Sequence, residues 1–540
     1  MQETDYIIIG AGSAGCVLAN RLTESGKHRV TVLEAGGTDN RFFVQMPLGY
    51  GKLFYNPAVN WLYKAEPDPG LNGQRDHIPR GRILGGSSSI NAMVWIRGHA
   101  QDYDDWQAAG NPGWGWHDCL AAYKAIEDNE AGEDDFRGTG GPLFISENRK
   151  GLHWLVGDYI KGCTEAGLPH NPDFNGASQE GCGTYQMTIK GRRRNSAARA
   201  FLHPAMRRKT LRVETGAHVT RILIEQGRAV GVEYTQNGRP HTLRARAEVI
   251  LSGGAINSPQ LLQLSGIGPG ALLQRHGLPV LLGNPNVGAH MNDHHGVNYT
   301  WRMKVSTYNN ILRPWWGKGL MGLWYLALGG GPLAKSINHG GGFFRTRADL
   351  DRPNMQLYMQ AFSTLLPRAG ERPLLTPDPF PGLSIGLSNC RPTSRGHIRI
   401  TTPDPLAHPA ITANAFSTDE DVTEMLAAVK FLRKIAAQPS FSRWVEEELR
   451  PGPQVQTDED LIDDFRQRSG TVYHPSCTCR MGPDPASSVI DARLRVHGVA
   501  GLRVVDAASF PNLIAGNTNA PSILMGWKGA ALILEDARKG

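Results

Sequence analysis

Cysteine is scarce: seven in 540 residues, none in a C-x-x-C pair. That excludes a disulfide framework and a thioredoxin-type dithiol, and it sets the expectation of a reducing, cytoplasmic setting. Long apolar runs are also missing. The longest, "LMGLWYLALGGGPLA" (320–334), is too short and too rich in glycine to cross a bilayer. The opening "DYIIIGAGSAGCVLANRL" lacks the basic n-region of a signal peptide, so none is expected. A net charge of +7 is modest for this length, and the basic runs Arg192-Arg193-Arg194 and Arg207-Arg208-Lys209 are short and free of interleaved aromatics. Nucleic acid is therefore not an expected partner. Acidic residues are absent from His294 through Ala348, which leaves that segment without a carboxylate for a substrate cation. Its tryptophans are expected to pack mainly in a core, with an apolar pocket or a membrane surface as alternatives.

What is present begins at once. "DYIIIG" is an apolar run entering "GAGSAG"; "CVLANRL" has helical spacing, and "HRVTVLEAGG" is a second β-rich run ending at Glu34. Strand, glycine turn, helix, strand and acid is the order of a dinucleotide fingerprint. Gly10 and Gly12 allow the tight turn and the approach of a pyrophosphate, and Gly15 lets helix and strand pack. Glu34 stands where a carboxylate accepts hydrogen bonds from a ribose, which argues against a 2′-phosphate. A second glycine cluster, "PRGRILGGSSSINAMVWIRG" (79–98), offers backbone N–H groups and hydroxyls before an expected helix, with no second ribose clamp. An anion-cradling loop so close to the first suits the long FAD better than NAD.

Downstream, residues 99–150 are polar with scattered tryptophans and read as a lid or helical excursion. Residues 211–234 alternate as strand, turn, strand, and "EVILSGGAINSPQLLQLSGIG" reads strand, glycine turn, helix, so the cofactor domain is expected to be assembled from separated segments. Between 296 and 460 come strand-like runs ("NMQLYMQAF", "GLSIGLSNC", "GHIRITTPDP") and a helix over about 418–438, the pattern of a second α+β domain roofing a cleft.

The tail carries "TVYHPSCTCRMG" (471–482) and, after a strand ending at Asp506, "GNTNAP" before a final helix beginning near Pro521. Cys477-Thr478-Cys479 is too cramped for structural zinc and no second ligand cluster follows, so no metal is expected and the thiols read as packing residues. Oxidising an alcohol requires removing its hydroxyl proton. His474 suits a general base, and an amide such as Asn517 can hold the oxygen without competing for the proton. Asp506 is placed to address the ribityl or phosphate end of the cofactor.

Four of these stretches, "DYIIIGAGSAGCVLANRL", "GRILGGSSSINAMVWIRG", "GGAINSPQLLQLSGIG" and "YHPSCTCRMG" with "GNTNAPS", resemble in order the signatures of the glucose–methanol–choline (GMC) oxidoreductases, and more closely the bacterial choline and aliphatic alcohol dehydrogenase branch. The resemblance runs along essentially the whole chain. It implies an α/β Rossmann-like FAD-binding domain built from discontinuous segments (1–155, 196–295 and 470–540) with an α+β substrate-binding domain (156–195 and 296–469). It implies hydride transfer from an alcohol carbon to flavin N5, with His474 as base and Asn517 as its partner. Gly10, Gly12, Gly15 and Glu34 match ADP-binding positions; Gly85, Ser87 and Asn91 match the loop around pyrophosphate and flavin. Val219 matches a residue whose backbone reads adenine, Asp506 an FAD-contacting acid, and Asn519 a residue facing the isoalloxazine.

Two departures qualify the resemblance. Ile90 stands where some relatives attach FAD through a histidine, so non-covalent FAD is expected. His339 stands in "SINHGGGFF" where aliphatic-alcohol relatives often carry a glutamate, which weakens choline as substrate. The expected activity is an FAD-dependent primary-alcohol dehydrogenase passing electrons to a quinone or other non-oxygen acceptor, with an oxidase reducing O2 to hydrogen peroxide as the alternative. Peripheral contact with the inner membrane, near such a quinone, is compatible with the tryptophan-rich segment.

Overall fold

A computed structural model describes residues 2–147, 149, 151–365 and 376–539. Two seven-stranded sheets organise it. The first is mostly parallel. Gln2–Ile9 lies between Val30–Glu34 and Arg239–Leu251, with Leu211–Thr215 outside Val30–Glu34 and Leu502–Val504 parallel to the end of Arg239–Leu251. Arg228–Gln236 and Ala217–Glu225 extend the same sheet as an antiparallel flap. The apolar runs of the central strands, Tyr6 to Ile9, Val30 to Glu34 and Val249 to Leu251, are buried on both faces, as the covered strands of a parallel sheet require. Helix Ser13–Thr23 follows the first strand directly, and Asn519–Lys539 packs across it. A Cβ on Gly526 would stand 2.6 Å from the Ala14 carbonyl oxygen, so glycine is what brings the two helices together.

The second sheet is antiparallel, in the order Val445–Arg450, His295–Met303, Gly382–Asn389, Met355–Gln360, Gly340–Phe344, Gly181–Thr184. Helix Asp419–Ala436 backs it, capped by the Thr418 side chain and carrying three acids in its first turn and Arg433 and Lys434 in its last, in accord with the helix dipole. The short strand Gly470–Thr471 also joins this sheet, which places the start of the histidine loop on the roof.

Three expectations are corrected. No helix follows the three serines: Gly86–Ser89 is a single 3-10 turn, the chain then runs extended, and the next helix is Ala100–Ala108. Of the lid and the helical excursion expected over 99–150, the described residues form the excursion and no lid: helices Ala100–Ala108 and Trp116–Ile126 and the turn between them bury Tyr103, Trp106, Trp114 and Tyr123 in the same core as Ile7, Val32 and Val249. The tryptophan-rich segment is not core. Helix Trp315–Leu323 and its continuation Trp324–Leu328 leave Trp315 84% and Leu328 79% exposed, together with Trp316, Leu320, Leu323 and Leu326. The last helix starts at Asn519, two residues before Pro521.

Candidate active site

A cavity of about 970 Å3 runs between the two sheets, at the upper end of the roughly 300–1,000 Å3 usual for ligand sites. Its wall includes Gly10, Gly12, Glu34, Ser87, Asn91, Val219, His474, Asp506, Asn517 and Asn519. Gly85 and Gly15 stand just behind it. Gly85 (φ +87°) makes the left-handed turn that presents Gly86 and Ser87, and a Cβ on Gly15 would meet the Gly10 carbonyl oxygen at 2.0 Å.

One end of the cavity is suited to a dinucleotide. Gly10 (φ +96°) turns the chain so tightly that a Cβ would lie 2.6 Å from the Ser252 carbonyl oxygen. The helix that follows has no acid in its first turn, leaving its N-terminus open to a phosphate. Ser13 Oγ donates to Asn519 Oδ1 at 2.8 Å, so the N-termini of the first and last helices converge on the same wall. The Glu34 carboxylate accepts from the N–H groups of Ala11 and Gly36, both at 2.8 Å. Burial nevertheless pushes it up to about 7, so a hydroxyl-bearing ligand that donates to it would favour its ionised form. Asp506 is largely occupied by the protein: it accepts from Gly254 N, Ser258 Oγ and Ala508 N at 2.8, 2.6 and 2.7 Å. Asn91 Oδ1 likewise accepts from Arg194 and from Met93 N. Ile90, buried with Val44, Leu53, Val59 and Ile83, offers no atom for a covalent link.

His474 and Asn517 occupy the other end. Their loops are laced together: the N–H groups of Cys477, Cys479 and Met481 donate to the carbonyls of Ala507, Ala508 and Ser509 at 2.8–3.0 Å. The alternation turns both thiols into the core, where burial pushes Cys477 up to about 11 and raises Cys479 as well. Tyr473 (φ +72°) and Cys477 (φ +68°) bracket the histidine in left-handed backbone, each at a cost of about 1–2 kcal/mol. Asp293 holds this strained turn, accepting from His474 N at 2.8 Å and from Thr471 Oγ1 at 2.5 Å. Gly516 (φ +95°) aims Asn517 from the opposite side. Asn517 Nδ2 lies 3.2 Å from His474 Nε2. Burial, then neighbouring His294, then Arg80 drive His474 well below the usual imidazole range, so the ring is neutral at neutral pH.

Several polar neighbours carry no signature in the sequence. His294 Nδ1 is 2.9 Å from His474 Nδ1. Gln356 Nε2 donates to Asn517 Oδ1 at 3.4 Å, and Tyr358 O–H donates to Gln356 Oε1 at 2.5 Å. The nearest hint was the doubled histidine after Asp293, which nothing in the spacing tied to residue 474. Among the described residues no cluster of His, Cys, Asp or Glu could hold a metal ion.

A neutral buried imidazole beside an amide, at the mouth of a dinucleotide-shaped cradle, can take a proton from a hydroxyl while the cofactor takes up a hydride. Comparison with known proteins identifies the family. The chain is 41% identical to the "Alcohol dehydrogenase [acceptor]" of Pseudomonas putida, over 98% of this chain and 95% of that protein. It is 39% identical to the "Oxygen-dependent choline dehydrogenase" of Vibrio vulnificus, over 99% and 94%. Among solved structures, pyridoxine 4-oxidase from Mesorbium loti superposes with a TM-score of 0.88 at 29% identity, covering 98% of each chain. With GMC oxidoreductase profiles matching residues 4–296 and 392–526, the chain belongs to the GMC oxidoreductase family, FAD-dependent enzymes that oxidise CH–OH donors.

Proposed function

We propose that this protein oxidises a primary alcohol to the aldehyde, and the observation that carries the reading is His474 Nε2 held beside Asn517 in the cavity wall. FAD, when bound, accepts the hydride from the carbinol carbon. His474 receives the hydroxyl proton, the former O–H electron pair becomes the second carbon–oxygen bond, and Asn517 Nδ2 donates to the oxygen as charge develops on it. Gly10, Gly12, Glu34, Ser87, Val219 and Asn519 form the cradle for a dissociable FAD, with Gly15, Gly85, Asn91 and Asp506 shaping it. Beyond the pair, the wall carries Tyr358, Gln360 and Asn338, uncharged groups with Gln360 Nε2 donating to Asn338 Oδ1 at 2.7 Å. Burial pushes His339 down to about 3, so it too is uncharged at neutral pH. These features favour an uncharged alcohol with further hydrogen-bonding groups over choline. The tryptophans of 315–324, for which an apolar pocket is one expectation, lie on the surface and are not in this wall.

Dioxygen as the electron acceptor draws support from relatives named for oxygen dependence and for oxidase activity. A quinone is the second reading, supported by the exposed apolar helix. From Trp315 to Leu328 that segment is about 21 Å long, too short to span a bilayer, and Phe42 and Phe43 lie exposed close by, Phe42 against Tyr325. Lys318 and Arg313 are the only charges in 306–334, a pattern suited to lying in an anionic membrane surface. The test follows flavin absorbance anaerobically with choline, alkanols, benzyl alcohol, sugar alcohols and polyethylene glycols, then with air or a ubiquinone analogue, with and without anionic vesicles. Bleaching and fast recovery in air with peroxide support the oxidase; fast recovery only with quinone supports the dehydrogenase. No bleaching by any alcohol refutes the function.

A further inference from the structure

A neutral imidazole carries one proton, and the two nitrogens of His474 are not equivalent: Nε2 faces Asn517 and the cavity, while Nδ1 faces His294. Alcohol oxidation needs the lone pair at Nε2. What decides the tautomer lies outside His474. The Nε2 atom of His294 is 2.8 Å from the carbonyl oxygen of Cys390, which can only accept, so the proton of His294 sits on Nε2. Complete burial holds His294 neutral, pushing it down to about 4, and its Nδ1 is therefore bare. Two ring nitrogens 2.9 Å apart must share a proton, since facing lone pairs in a dry interior would each forfeit a hydrogen bond. That proton belongs to His474 Nδ1.

We propose that His294 is a positioning residue that fixes His474 as the Nδ1–H tautomer and so leaves the Nε2 lone pair in the cavity to receive the substrate's hydroxyl proton.

The opposite side of the ring gives the same answer independently. Tyr185 O–H donates to the Leu357 carbonyl at 2.5 Å, so its oxygen is free to accept from Gln356 Nε2 at 3.1 Å. Gln356 Oε1 accepts from Tyr358, and its amide nitrogen also donates to Asn517 Oδ1. The amide of Asn517 is thereby oriented with Nδ2 toward His474 Nε2, a donor facing what must be an acceptor. Two hydrogen-bond chains, each anchored on a backbone carbonyl, agree on one proton position.

The effect on rate rests on the alcohol-oxidation reading; the tautomer is a property of the resting holoenzyme. The test uses 15N-histidine-labelled protein with FAD bound, the His474 resonances being assigned by their loss in His474→Gln. The expected spectrum shows a protonated Nδ1 and a bare Nε2. In His294→Leu the Nε2–H form should appear, and anaerobic flavin reduction should slow by about 100- to 10,000-fold, the scale on which selecting the wrong tautomer disables a catalytic histidine. His294→Asn, whose Oδ1 can overlay the missing Nδ1 acceptor, should recover at least tenfold of the loss. A wild-type His474 protonated at Nε2, or a His294→Leu enzyme that retains FAD and reduces it within threefold of the wild-type rate, overturns the proposal. If His294→Leu fails to hold FAD, the wild-type spectrum decides. If no alcohol reduces the wild-type flavin, the functional reading falls while the spectrum still decides the tautomer.

Discussion

Replacing Gly86 by alanine tests whether the two glycine loops form a single cradle. Gly86 sits at φ +52°, and a Cβ built there would stand 2.7 Å from Gly12 Cα, against 3.4 Å for the near edge of ordinary contact. The loops would have to part by about 0.7 Å at the point where both line the cavity. A left-handed alanine costs about 1–2 kcal/mol and overpacking typically about 1–3 kcal/mol. Without ligand, the loops can relieve the overlap by separating; a dinucleotide gripped by both cannot be held without restoring it. The left-handed backbone costs both states alike, so the overpacking alone weakens FAD binding, by roughly 5- to 140-fold at about 1.4 kcal/mol per factor of ten. The assay is FAD titration of the apoprotein by flavin fluorescence, with melting temperatures of apo and holo forms and Gly37→Ala as control, since a Cβ there meets nothing within 4 Å. The apo melting temperature should fall less than the holo one. A Gly86→Ala protein that binds FAD within twofold of wild type, or that loses apo and holo stability equally, refutes the cradle.

Other expectations follow from the same geometry. Glu34 is raised to about 7 in the free protein, and a ribose that donates to it favours its ionised form. FAD affinity should therefore weaken as pH falls through 7, by up to tenfold per pH unit, and Glu34→Gln should abolish that slope in titrations between pH 5 and 8. His474 is depressed by burial, His294 and Arg80, so its basic, neutral form persists below pH 6.5; the acid limb of anaerobic flavin reduction should lie below that value, and a limb at 6.5 or above contradicts the assignment. Asn517→Leu removes the donor facing His474 Nε2 and should slow flavin reduction by about 100- to 1,000-fold in stopped flow, with FAD content unchanged. Trp315→Ser with Leu323→Ser should leave flavin reduction intact while abolishing sedimentation with anionic vesicles, if that surface meets a membrane.

What could be read from the sequence was whatever a local constraint imposes. The turn at Gly10 and the acid at Glu34 belong to one continuous strand–helix–strand unit, and the type and spacing of their residues follow from the turn itself. Cys477 and Cys479 were legible as packing residues because a C-x-C pair in a laced loop turns both side chains inward. The exposed helix was not legible. A segment apolar on all sides reads as buried, and only the fold reveals that, among the described residues, no element covers Trp315 or Leu328. The helix expected after Ser89 failed because Gly85 and Gly86 both adopt positive φ, and the extended chain beyond is claimed by contacts such as Trp95 N with the Gln186 carbonyl.

His294 was illegible for a deeper reason. Its role is written in three places 84 or more residues apart: the residue itself, the Cys390 carbonyl and His474. His294 immediately precedes strand His295–Met303, Cys390 immediately follows Gly382–Asn389, and Leu357 lies within Met355–Gln360, all strands of the roof sheet. The register between the first two puts the bare His294 nitrogen opposite His474, and the neighbouring strand orients Gln356 and through it Asn517. The division of labour follows from this pairing. The parallel sheet places the glycine turn, Glu34 and Asp506 along the cavity, while in the arrangement we propose the antiparallel roof, through backbone carbonyls that can only accept, determines which nitrogen of His474 is free. A one-residue slip of Gly382–Asn389 against His295–Met303 would leave the glycine cradle and both loop sequences untouched, yet remove the carbonyl that sets the proton. The chemistry of His474 is therefore a property of strand register as much as of the histidine.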